Sequence, residues 1–136
     1  MKINKIVETC LYSSDLESMR KFYAGILGLA VVQEELSKFI FLKAGKSMLL
    51  IFDPMRTMTD NGGLPTHGAI SPPSSIHFAM EIDEQEYFAS KEQLARNNID
   101  IEKEVIWNGN TRSLYFRDPA GNLVELITPG EWPVES

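Results

Sequence analysis

Glu125 is the single acid in an apolar stretch, Leu123 to Ile127. Burying a carboxylate without a partner costs several kcal/mol or forces it neutral, so this position asks for a cation. Two further stretches offer company. His77 lies in SIHFAMEI and Glu8 in KIVETCLY, both alternating in the manner of half-buried strands. One imidazole and two carboxylates suit Zn, Fe, Mn, Ni or Co. Two acids neutralise a divalent ion, and three protein ligands leave positions open, which is the catalytic pattern and not the closed structural one. Taken one at a time, a strand acid is more often solvated and a lone histidine more often a satisfied core group. It is their joint placement that points to a metal.

Other residues could line such a site. His67, in GGLPTHGA, reads as a base standing behind the ligands or a substrate contact on a lid, or as an exposed loop residue. Cys10 shares the Glu8 face and either lines the pocket or is a buried inert thiol. Arg112 is a candidate for holding an anionic substrate group and Tyr115 for donating a hydrogen bond, although both residue types also stabilise ordinary sheet surfaces. Trp107, Phe52 and Trp132 could form aromatic walls or belong to a core.

The elements that must position these groups repeat. Lys5 to Tyr12 reads as a strand. A helix follows from Asp15 to Leu27, with Ser14 as its cap, Glu17 closing a capping box and Gly28 as its left-handed stop. Strands near Ala30 to Glu34, Lys38 to Leu42 and Ser47 to Phe52 complete a βαβββ unit, the last two joined by a tight turn at Ala44 to Lys46. From Asp53 to Ser75 the chain has neither a helical nor a strand period. The order then recurs, with a strand from Ser75 to Ile82 and a helix capped by Asp83, with Glu86 at the box position, and ended by Asn98. Strands near Ile99 to Ile106, Arg112 to Arg117 and Leu123 to Thr128 follow. A shift of 69 residues carries Glu8 onto His77 and Asp15 onto Glu84. Two copies point to a closed pseudo-twofold pair. The expectation is an α+β domain over residues 1–136, with one βαβββ module in 1–53, a connecting loop in 54–74 and the second module in 75–136. If the modules pair, Glu8, His77 and Glu125 converge inside the curved sheet.

Composition narrows the function classes. The chain has 136 residues, 43% hydrophobic and 24% charged, the size and balance of one ordinary globular domain. A net charge of −6 argues against nucleic acid, which needs a basic face. No run approaches the length of about eighteen apolar residues that a membrane span requires. One cysteine excludes an intrachain disulfide and a cysteine-based zinc framework. With no signal-peptide pattern at the N-terminus, a cytoplasmic protein is expected.

The stretch RSLYFRDPAGNLVELITPGEW, together with TCLYSSDLESMRKFYAGILGL and SIHFAMEID, resembles the vicinal oxygen chelate superfamily of glyoxalase I, bleomycin-resistance proteins, fosfomycin-resistance thiol transferases, methylmalonyl-CoA epimerase and extradiol dioxygenases. The resemblance covers nearly the whole chain outside the stretch from Asp53 to Ser74. It implies paired βαβββ modules in an open, curved mixed sheet around a divalent metal, a small-molecule substrate and a homodimer. His77 matches the histidine of the second module's first strand, and Glu125 the glutamate of its last. Glu8 falls where many members have histidine. The fourth ligand position of glyoxalase I falls near Leu49 or Leu50, neither of which binds metal. The resemblance therefore implies a metal-dependent lyase, isomerase or dioxygenase acting on a small oxygenated molecule. Its alternative is a metal-free protein that sequesters a drug, as bleomycin-resistance proteins do.

Overall fold

The computed structural model describes residue 2 and residues 6–59, 67–68 and 76–131. The chain divides into two compact units, Met1–Ser74 and Ser75–Ser136, each built on a four-stranded mixed sheet.

In the first unit, β1 (Glu8–Tyr12) leads into α1 (Leu16–Arg20), which widens over Lys21–Ile26 into a turn with five-residue hydrogen bonds. The spacing of apolar residues gives no sign of this widening. Asp15, not Ser14, caps the helix. Its carboxylate accepts from the Ser18 N–H at 3.1 Å and from the Ser18 hydroxyl at 2.6 Å, so the expected Ser14–Glu17 box is not used. Gly28 stops the helix at φ 76°. Strands β2 (Ala30–Glu35), β3 (Phe39–Ala44) and β4 (Ser47–Phe52) follow, giving the order β1-β4-β3-β2 with β1 parallel to β4. Alternation sends Leu11, Ile40, Leu42 and Ile51 to the helix side, where they are fully buried with Met19 and Tyr23. The opposite face carries Glu8, Cys10 and Tyr12.

The stretch after β4, expected to lack regular structure, begins with a short helix, α2 (Pro54–Thr59). Asp53 accepts from the Met55 N–H at 3.0 Å, and Pro54 takes the first helical position, where its missing N–H costs nothing. The remainder of 54–74, apart from His67 and Gly68, lies outside the described residues.

The second unit repeats the plan. Strand β5 (His77–Glu81) is followed by a tight turn at Glu84–Glu86 and by α3 (Tyr87–Arg96). Asp83 makes no side-chain cap. Its backbone carbonyl instead accepts from the Glu86 N–H at 2.9 Å, closing the tight turn ahead of α3. Asn98 ends the helix at φ 58°, with the Ile99 N–H bonded back to the Leu94 carbonyl. That closure consumes residues expected to be strand, so β6 begins at Lys103 and runs to Ile106. With β7 (Arg112–Arg117) and β8 (Leu123–Ile127) the sheet order is β5-β8-β7-β6, and β5 is parallel to β8. Leu114, Phe116 and Val124 are fully buried on the helix side with Tyr87 and Leu94.

The turn between β7 and β8 is held by one side chain. Asp118 Oδ1 accepts from the N–H groups of Ala120 and Asn122, both at 2.9 Å, and Oδ2 accepts from the Asn122 amide at 2.7 Å. Asp118→Ala would leave these donors unsatisfied in a buried turn. We expect a loss of roughly 2–4 kcal/mol in urea unfolding, with Asp118→Asn losing less because it keeps the oxygen that serves both N–H groups.

Candidate functional site

The side chains that could do chemistry in the second unit lie on the sheet face away from α3. Strand pairing sets Ala79 and Tyr115 on either side of Glu125, so alternation puts His77, Ser113, Tyr115 and Glu125 on one face. His77 Nε2 is 3.4 Å from Glu125 Oε1; the histidine side chain is 46% exposed and the carboxylate 8%. The two residues singled out in the sequence are thus neighbours, the carboxylate deep and the imidazole open to solvent.

Each is held from behind. His77 Nδ1 lies 3.0 Å from the Leu123 carbonyl oxygen. A carbonyl only accepts, so Nδ1 carries the proton and donates. In the neutral ring, Nε2 then turns a lone pair toward a carboxylate oxygen. Two acceptors face each other, an arrangement that calls for a proton or a metal cation between them. The separation is longer than a good N–H···O bond, and it is one at which two ligands, each about 2.0–2.2 Å from one ion, can share it. A histidine whose second nitrogen donates to a backbone carbonyl is also the usual support of a metal ligand. The pair therefore fits a divalent ion.

Glu125 Oε2 is engaged elsewhere. The Ser113 hydroxyl donates to it at 2.6 Å, and Ser113 Oγ in turn accepts from the Trp107 indole N–H at 2.8 Å. The Tyr115 ring stacks on His77 with centroids 6.2 Å apart. Burial first, and the Glu125 charge second, raise the Tyr115 phenol above its ordinary value, so it stays protonated at neutral pH. Ser113 escaped the reading from sequence. A single serine in a strand gives no signal until the β7–β8 register puts it diagonally across from Glu125.

Trp107 is thereby tied to the Glu125 network. Arg112 is not. It alternates to the helix side of the sheet, where its guanidinium lies 5.5 Å from the ring centres of both Tyr87 and Phe88. Tyr87 donates to Glu104 at 2.8 Å, and burial together with that bond pushes its phenol up to about 12.

In the first unit Glu8 is exposed at the start of β1, on one face with Cys10 and Tyr12. Among the described residues, no group of three or more His, Cys, Asp or Glu side chains is gathered to hold a metal. Of the three residues expected as ligands, His77 and Glu125 lie side by side in the second unit and Glu8 lies in the first. Glu8 pairs with Met48 and Cys10 with Leu50, as His77 pairs with Leu123 and Ala79 with Glu125. Leu50 thus stands at the first unit's counterpart of Glu125. Burial, and then the Glu8 charge, raise the Cys10 thiol and hold it protonated. His67 Nδ1 is 2.7 Å from the Tyr12 hydroxyl, and its ring meets Phe52 edge-on at 4.9 Å between centroids. Phe52 belongs to an aromatic surface with Tyr12 and Phe41. Trp132 lies outside the described residues.

The fold and these residues define a class. A family model of the Glyoxalase/Bleomycin resistance protein/Dioxygenase superfamily matches residues 3–126, and the chain belongs to that superfamily. The crystal structure of lactoylglutathione lyase from Agrobacterium tumefaciens is similar at a TM-score of 0.89 and 33% identity, covering 98% of this chain and 100% of that one. The fosfomycin resistance protein FosX from Mesorhizobium loti gives 0.68 at 20% identity over 96% of both chains. A virulence protein from Salmonella typhimurium gives 0.70 at 21%, over 94% of this chain and 98% of that one. At these identities the last two show the fold alone. Among curated proteins, none matches. No described helix is long and apolar enough to cross a membrane.

Proposed function

We propose that the chain is a divalent-metal-dependent enzyme acting on a small oxygenated molecule, with His77 and Glu125 as ligands and Glu8 as the third. One observation carries this reading: an imidazole nitrogen and a buried carboxylate oxygen face each other 3.4 Å apart, each fixed from behind by its own hydrogen bond. A divalent ion held there, zinc, iron, manganese, nickel or cobalt, would supply Lewis acidity that polarises substrate oxygens.

The chain's own groups do the rest. The Leu123 carbonyl fixes the orientation of His77. Tyr115, protonated at neutral pH, donates a hydrogen bond at the same face. Glu8, which is exposed, or Glu125 is the group that takes up or returns a proton. The similarity to a lactoylglutathione lyase supports an enzyme, while Leu50 at the counterpart of Glu125 separates this ligand set from the four-ligand pattern implied by glyoxalase I. In this reading the protein acts as a homodimer, and Glu8 comes from the same chain or from a second copy. Cytoplasmic residence rests on the single free thiol.

A metal-free sequestering protein is the rival, supported by the aromatic surface around Phe52. Metal analysis separates the two. Protein purified without chelator is expected to carry close to one equivalent of divalent metal per chain and to melt higher when the ion is added in excess. Less than about a tenth of an equivalent, with no rise in melting temperature, overturns the enzyme reading.

A further inference from the structure

We propose that Ser113 is a positioning residue that restricts Glu125 to a single ligating oxygen, and that it thereby sets the site's preference for small first-row transition ions over calcium. The inference rests on the metal-binding reading above and assigns a cause to its selectivity.

Ser113 is fully buried, and its hydroxyl has one proton to give. The Trp107 indole N–H can only donate, so it occupies a lone pair on Ser113 Oγ and leaves the serine proton for Glu125 Oε2. A 2.6 Å O–H···O⁻ contact is in the short, charge-assisted range. The Trp107 main chain is anchored in turn, since its backbone N–H donates to the Thr111 carbonyl at 2.7 Å and ties the ends of β6 and β7 together. The relay leaves Oε1 as the oxygen turned toward His77. Calcium takes six to eight oxygen ligands and commonly a carboxylate through both oxygens. One carboxylate oxygen beside one imidazole nitrogen is the donor set of zinc and its neighbours. Without the serine hydroxyl, Oε2 and the indole N–H lose their partner, and the carboxylate is free to rotate and offer both oxygens.

The test titrates Zn²⁺ and Ca²⁺ separately into metal-stripped protein by calorimetry. Trp107 fluorescence is followed alongside in a Trp132→Phe background, with wild type, Ser113→Ala and Ser113→Thr compared. Ser113→Ala is expected to weaken zinc binding roughly ten- to a hundredfold, the usual effect of losing an outer-shell partner, and to narrow the zinc-to-calcium ratio. Ser113→Thr keeps the hydroxyl and is expected to restore both. The fluorescence response to zinc seen in wild type should be lost in Ser113→Ala and return in Ser113→Thr. Should Ser113→Ala fail to fold, Trp107→Phe, which removes only the group orienting the hydroxyl, is expected to shift the ratio in the same direction. Wild-type zinc affinity and selectivity in a folded Ser113→Ala, or in Trp107→Phe where it replaces it, overturns this inference and leaves the metal-binding reading standing. A wild type that takes up no zinc or other divalent ion overturns both.

Discussion

On the metal-binding proposal, Glu125→Gln is expected to abolish metal uptake while leaving the fold intact. The amide is nearly isosteric with the carboxylate. Its oxygen can keep the Ser113 hydrogen bond, and its NH₂ can donate to the His77 Nε2 lone pair that the carboxylate faces at 3.4 Å. Every polar group is then satisfied without a cation, and the desolvation of a buried charge disappears. Metal affinity behaves in the opposite way, because a neutral amide is a poor ligand. We expect at least a hundredfold weakening, about 2.7 kcal/mol, and copurified metal below about a tenth of an equivalent. The contrast with wild type should also appear in melting curves. An ion at a hundred times its Kd stabilises wild type by about 2.7 kcal/mol, and the variant should lose that increment while its metal-free stability is unchanged or higher. Metal content and metal-dependent melting equal to wild type would move the sequestering reading ahead.

Phe116→Ala should produce the largest loss of stability, about 3–5 kcal/mol. Phe116 lies in an interior strand of its sheet, is fully buried and is paired with Val124 on β8. Alanine there loses the transfer energy of an aromatic ring and leaves a cavity between the sheet and α3 that backbone-bonded neighbours cannot close. With a urea dependence of about 1–3 kcal/mol per molar, the unfolding midpoint should fall by roughly 2 M. Phe116→Leu should recover much of this. Because Phe116 is on the α3 side of β7, any fraction of Phe116→Ala that remains folded should still bind metal, which separates this loss from that of Glu125→Gln.

The repeat of βαβββ was legible because apolar alternation, Gly28 and Asn98 all mark element ends by backbone chemistry. Strand phase was legible too, and it suffices to put His77 and Glu125 on one sheet face once β5 and β8 are paired. Register is where reading from sequence ran out. Ser113 becomes a partner of Glu125, and Leu50 rather than Leu49 becomes its counterpart, only through interstrand offsets that a linear sequence does not carry. Arg112 illustrates the opposite case. Its phase relative to Tyr115 puts it on the face away from Glu125, a parity that the sequence itself carries. The Asp53–Pro54 pair likewise marks a helix start, although the six residues of α2 are too few to display a period.

The Asp118–Asn122 turn has a consequence for how this chain can change over time. Its hydrogen bonds fix the number of residues between β7 and β8, and that number decides which member of Val124-Glu125-Leu126 is delivered to the open face. A point substitution there weakens the fold by degrees. An insertion or deletion of one codon would instead exchange the carboxylate for a hydrocarbon in a single step. Lineages descending from this sequence are thus free to vary side chains around the turn, but its length is inherited together with the chemistry.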